Sequence, residues 1–177
     1  MIQSRGDLYE FLLEDARVNH FKRGRGNLFN SIYWFLVSLR YVEYYRNCAP
    51  KSPLKWFYLI RLNRLSVRTG LTIPPNTFGK GLYVPHYGCI VINGSARFGD
   101  NCVLQCGVNV SEGVKGGNDI YLGAGSKVLT NVRLGDGIIV GANSVVTKSF
   151  ESPNMVLAGI PAKVISDKGR YSDRQFI

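Results

Sequence analysis

The chain has 177 residues, 45% of them hydrophobic and 19% charged, which suits one globular domain with an extension and excludes a disordered chain. The net charge of +10 favours contact with phosphates, anionic membrane surfaces or nucleic acid. The lack of zinc-finger spacing, of an RNP pattern and of heptads feeding a basic helix excludes the common nucleic-acid readers.

The basic excess lies early: residues 1–70 hold 12 Lys/Arg against 5 Asp/Glu, and residues 71–177 hold 10 against 7. That first part reads as helical. Ser4 and Asp7 fit a capping box opening a helix over 5–18, with Leu8, Phe11, Leu12 and Ala16 on one face. Residues 23–26 (Arg-Gly-Arg-Gly) read as a loop. A second helix is expected over 28–46, with Ile32, Phe35, Leu36 and Leu39 as its apolar stripe. Pro50 and Pro53 separate it from a third helix over 54–68, which Gly70 can end. The most apolar stretch, 32–39, is too short to span a bilayer. No signal-peptide pattern opens the chain, and Cys48, Cys89, Cys102 and Cys106 form no CxxC pair or metal-type cluster. A cytoplasmic protein with reduced thiols and no metal is expected.

From residue 71 the period is six. Ile92, Phe98, Leu104 and Val110, then Leu122, Val128, Leu134, Val140 and Val146, fall in one apolar series with a gap of twelve after Val110. Each hexad makes a short strand and a turn, and three hexads close one triangular coil whose aliphatic residues stack inward. The predicted fold is therefore mainly β: a left-handed parallel β-helix of hexapeptide repeats over 71–165, an α-helical extension over 1–70 and a tail over 166–177. An antiparallel sandwich is disfavoured because its strands alternate with period two. Residues 111–119 break the series and read as a loop extruded from a corner. Phe78 and Val84 keep the spacing in a shifted phase, so the stretch from Pro85 to Cys89 carries a register change.

Two histidines occur. His20 lies at a polar helix end and reads as a surface residue. His86 lies in the register change, among Tyr83, Pro85 and Tyr87. Cys102 and Cys106 fall where inward or stacked residues belong, and Cys89 stands three residues from His86.

Residues 71–165 resemble the serine acetyltransferase-like branch of the hexapeptide-repeat acyltransferases. The resemblance is carried by Ile73-Pro-Pro-Asn, Pro85-His-Tyr-Gly-Cys-Ile-Val-Ile-Asn93, Leu122-Gly-Ala-Gly-Ser-Lys127, Val140-Gly-Ala-Asn-Ser-Val-Val-Thr-Lys148 and Ala158-Gly-Ile-Pro-Ala-Lys-Val164. The opening Asp7-Leu-Tyr-Glu-Phe-Leu-Leu-Glu-Asp-Ala-Arg17 looks like sugar or polysaccharide O-acetyltransferases of this branch. The resemblance implies a homotrimer with active sites between subunits and acetyl-CoA lying along the helix edge. His86 matches the catalytic histidine. Ala124 and Ala142 match residues lining the pantetheine arm, and Thr147, Lys148 and Lys163 match positions near the nucleotide end, where lysines suit anionic phosphates.

Departures from the serine enzymes are also legible. Pro85 replaces an aspartate before the histidine, Thr72 stands for an upstream aspartate, and Asp119 or Asn118 stands for a second histidine. The expected reaction is therefore direct acetyl transfer from acetyl-CoA to a sugar hydroxyl in surface polysaccharide synthesis, with His86 as general base. Asn93, Asp119 or a backbone carbonyl would orient the imidazole, and amides near Gly116 and Gly117 would hold the oxyanion. The acceptor is a small-molecule or lipid-linked sugar, and no nucleic acid is expected. The basic helices would hold the trimer or lean on the inner face of a membrane. Two other readings stand beside this one. One is serine O-acetylation, with Ile177 docking a partner enzyme; the other is a scaffold without catalysis.

Overall fold

The computed structural model describes residues 1–21 and 24–169. The tail residues 170–177, including Ile177, and residues 22 and 23 of the early loop lie outside the described residues.

Helix α1 spans Arg5–Val18. The Asp7 amide donates to Ser4 Oγ at 3.0 Å, and Asp7 Oδ2 accepts from the Gln3 amide at 2.8 Å, so the predicted box forms with its return bond one residue earlier. Helix α2 spans Ser31–Asn47 and starts later than predicted. Gly24–Asn27 forms a 3-10 turn, and Asn30 then caps the helix by accepting from the amides of Ile32 and Tyr33. Helix α3 spans Leu54–Thr69 and ends at Gly70, whose φ of 74° is the left-handed cap expected of glycine.

The rest is a parallel β-solenoid. One face stacks Leu71–Thr72, Ile90–Ile92, Asn109–Val110, Lys127–Val128 and Val145–Val146. The second carries Lys115–Gly116 against Arg133–Leu134, extended by bridges at Arg97 and Phe150. The third stacks Val103–Leu104, Tyr121–Leu122, Ile139–Val140 and Val156–Gly159, and Ala162–Ser166 closes it by pairing antiparallel. Register steps of 18 residues (Val91, Asn109, Lys127, Val145) confirm three hexads per coil. All nine residues of the apolar series are buried.

Successive faces meet at three corners. Corner one follows the first face, corner two the second, and corner three leads from the third face to the next coil. Asn101, Asp119, Asn131 and Asn143 take φ near 60° at these corners, a conformation that Asn, Asp and Gly adopt at least cost. At corner two the side chains of Asp100, Asn118 and Asp136 each accept from a backbone amide one coil earlier, those of Lys80, Asp100 and Asn118.

Residues 111–119 are not extruded. They form an ordinary hexad whose strand, Lys115–Gly116, pairs in register with Arg133–Leu134. The series breaks because its inward residue is Gly116. A Cβ there would lie 2.2 Å from the ring of Phe98, which leans into the space and stacks on Phe78 at 4.8 Å. Glycine and phenylalanine thus share the volume of two aliphatic residues. Gly116→Ala is expected to cost about 1–3 kcal/mol by overpacking. Thermal unfolding of Gly116→Val, Phe98→Val and the double variant checks this. A double variant more stable than the sum of the singles is expected, whereas strict additivity would contradict the shared volume.

Helices α2 and α3 lie at the N-terminal end of the solenoid. Leu39, Val42 and Leu62 join one core cluster with Leu71, Ile73, Phe78 and the coil interior. Helix α1 adds a smaller cluster of Ile2, Leu8 and Phe11. Between these layers lies Arg40, which is fully buried. Its Nε donates to Asp15 Oδ2 at 2.8 Å. Its terminal nitrogens reach Asp15 Oδ1, Glu43 Oε2 and the carbonyls of Phe78 and Gly79. All five guanidinium donors are used. Burial alone would depress its pKa, but the Asp15 and Glu43 carboxylates outweigh burial and hold it above the usual arginine value.

Candidate functional site

The first coil is irregular, and that irregularity makes the site. Its inward residues step by five, six and eight (Ile73 to Phe78, Phe78 to Val84, Val84 to Ile92), whereas later coils step by six. Corner three of this coil therefore carries two surplus residues, and the segment 85–89 projects there with His86, Tyr87 and Cys89 exposed.

The ends of this projection are held by the helices. Asn19, the C-cap of α1, donates from Nδ2 to the Leu82 carbonyl at 2.8 Å and accepts on Oδ1 from the Val84 amide at 3.0 Å. Its amide side chain thus clasps the backbone of residues 82–84, where Tyr83 bridges to Val103 of the third face. On the return, the Gly88 amide donates to the Thr69 carbonyl and the Ile90 amide to the Gly70 carbonyl, both at the end of α3. Gly88 has φ 145°, and a Cβ on it would lie 3.1 Å from Cβ of Cys106, so the chain folds closely over the next coil. Between these anchors, Pro85, His86 and Tyr87 make no hydrogen bond among the described residues. The imidazole is exposed, with both nitrogens uncommitted among the described residues.

Below the projection, corner three descends through Cys106, Ala124 and Ala142, one coil apart, to Gly159. At about 4.8 Å per coil, Ala142 lies roughly 14 Å below the His86 corner. Small residues keep this edge shallow and leave its backbone approachable. Lys163 lies opposite Ala158 at the bottom of the third face, close to the end of this column. Thr147 and Lys148 are exposed but stand at corner one, across the first face, where the Lys148 ammonium lies 5.6 Å from the Phe150 ring centre.

Three expectations need correction. Asn93 stands at corner one, and its Oδ1 accepts from the amide and hydroxyl of Ser95. Asp119 stands at corner two as a left-handed turn residue. Neither shares a corner with His86 on the same chain. The amides of Gly116 and Gly117 donate to the carbonyls of Arg97 and Leu134 inside the ladder, so they are not free to hold an oxyanion.

Cysteine placement is split: Cys102 is buried as expected, but Cys106 is exposed and sits on the corner-three column under Gly88. His20 is exposed, as its sequence context indicates. Asn19 and Cys106 are the site-forming residues that sequence reasoning missed. The signal available for Asn19 was a polar amide at a helix end; for Cys106 it was alignment with Ala124 and Ala142 at steps of 18 residues.

No protein-family model and no curated protein matches the chain. Solved structures do. Serine acetyltransferase from Brucella abortus strain S19 shares 25% identity at TM-score 0.75, with 93% of this chain and 71% of that one covered. A Brucella melitensis serine O-acetyltransferase, described as a bacterial transferase hexapeptide repeat, shares 24% at TM-score 0.72 over 93% and 71%. A serine acetyltransferase in complex with CoA shares 23% at TM-score 0.73 over 92% and 71%. With three hexads to each coil, the chain shares the hexapeptide-repeat β-solenoid fold of these serine acetyltransferases.

Proposed function

We propose that this protein transfers the acetyl group of acetyl-CoA directly to a sugar hydroxyl, with His86 as general base. The observation that carries this reading is the isolated, exposed imidazole at the head of the shallow corner-three column. A neutral imidazole takes the hydroxyl proton as the oxygen attacks the thioester carbonyl. The tetrahedral intermediate then collapses, expelling CoA as its thiolate, which takes up a proton. The pantetheine arm would lie along Ala124 and Ala142, and Lys163 would meet the phosphates near the foot of the column. Thr147 and Lys148, across the first face, fit the nucleotide end only if the cofactor turns over that face.

No described residue hydrogen-bonds the His86 ring, which leaves the acceptor or a residue of a neighbouring copy to orient it. This favours a homotrimer with composite sites. The sugar reading rests on the residues that differ from the serine enzymes at Thr72, Pro85 and Asp119. The likeness to serine acetyltransferases favours a second reading, L-serine as acceptor.

A panel of nucleotide-linked sugars, lipid-linked sugars and amino acids, with acetyl-CoA as donor and CoA release as readout, decides between them. Turnover confined to sugar hydroxyls is the expected result. Turnover of L-serine alone overturns the sugar reading, and failure to bind acetyl-CoA in calorimetry would leave only a scaffold.

A further inference from the structure

Helix α3 turns an unusual surface to solvent. Trp56, Ile60 and Val67 lie within one narrow stripe at helical spacing, and they are 61%, 54% and 82% exposed. Phe57 lies beside them, 56% exposed. The same face carries Arg64 and Arg68, both exposed, and α3 contains no acidic residue. The patch continues onto the turn before α2. The Arg61 guanidinium lies 4.1 Å from the Trp34 ring centre, the Trp34 indole donates to the Leu28 carbonyl, and Phe29 beside it is 97% exposed.

The cations here meet no acid among the described residues. All five acids of residues 1–70 are engaged inside the chain: Asp7 at the start of α1, Glu14 with Arg17, Glu10 with Lys80, and Asp15 and Glu43 with Arg40. Arg64 and Arg68 have no acidic partner among the described residues. A second copy of the same face would set cation against cation. A nucleic acid would meet the cations but leave Trp56, Ile60 and Val67 in water. An anionic bilayer surface satisfies both, with apolar side chains entering the acyl boundary and arginines at the headgroups.

We propose that the outer face of α3, with the Leu28–Phe29 turn, docks this protein flat on an anionic lipid membrane. The solenoid then extends away from the bilayer, and its first coil, with the His86 corner, lies at the membrane end of the molecule.

The test is co-sedimentation of the full chain with vesicles of phosphatidylglycerol and phosphatidylcholine, against vesicles of phosphatidylcholine alone. Binding on the order of a hundredfold tighter to the anionic vesicles is expected, weakening with salt. Arg64→Glu with Arg68→Glu should abolish that preference, and separately Trp56→Ser with Ile60→Ser should weaken binding to the anionic vesicles by about tenfold or more, each with an unchanged thermal transition. Equal binding to both vesicles, or none, overturns the proposal. So does a drop in assembly mass by light scattering in the Trp56→Ser, Ile60→Ser variant, which would make the face a contact between copies. Because the readout is sedimentation, the result stands apart from the acetyl-transfer reading.

Discussion

His86→Ala is expected to lower acetyl transfer by about 10²–10⁴-fold while leaving the fold intact. The second half of that expectation follows from the structure. The side chain is exposed and makes no hydrogen bond among the described residues, so its loss removes no packing and orphans no partner. Surface substitutions of this kind stay within about 0.5 kcal/mol of the parent. A fallen rate with an unmoved thermal transition therefore separates chemistry from stability. The measurement is kcat by CoA release at saturating acetyl-CoA, beside an unfolding curve. Cys89→Ser provides the control: direct transfer predicts near-parental turnover, because no thiol carries the acetyl group. A His86→Ala rate within about threefold of the parent would remove the general base from the mechanism.

The largest stability effect is expected at Arg40. Truncation to alanine leaves Asp15 and Glu43 buried without their cation and strands the carbonyls of Phe78 and Gly79. Breaking a buried ion pair from one side costs about 3–5 kcal/mol, or roughly 6–20 °C in Tm for a chain of this size. Arg40→Lys should recover little, since one ammonium offers three donors where five are used.

The effect reaches the site. Asp15 Oδ1 also accepts from the Leu82 amide at 2.9 Å, in the segment that Asn19 holds just before His86. Loss of turnover at temperatures below the shifted transition is thus expected alongside the fall in Tm. Scanning calorimetry of both variants measures the first, and CoA release at a temperature well below each transition measures the second. An unchanged transition in Arg40→Ala would show that the helices and the first coil are held together by the apolar core alone.

How the chain is divided between legible and illegible is seen at single residues. The period of six is local, so the hexads announced themselves except the one at 111–119, and the bounds of helix α1 were readable to the residue. Gly116 was illegible because its role depends on a ring 18 positions away: an inward glycine looks like a broken repeat until Phe98 is seen filling it. The register change around His86 was visible as a phase shift, but which corner it bulged from was not. That choice follows from steps of five, six and eight residues closing against helices α1 and α3.

The sequence by itself determined the solenoid, its helical extension and the singling out of one histidine, because periodicity and residue type act through neighbours along the chain. Only the tertiary structure decided that Asn93 and Asp119 stand at other corners than His86, that Asn19 clamps the segment leading to it, that Arg40 ties three layers together and that Trp56, Ile60 and Val67 of α3 stay exposed. Those facts depend on contacts between residues 25 to 65 positions apart, and no local pattern encodes which of several equivalent corners a distant helix will meet.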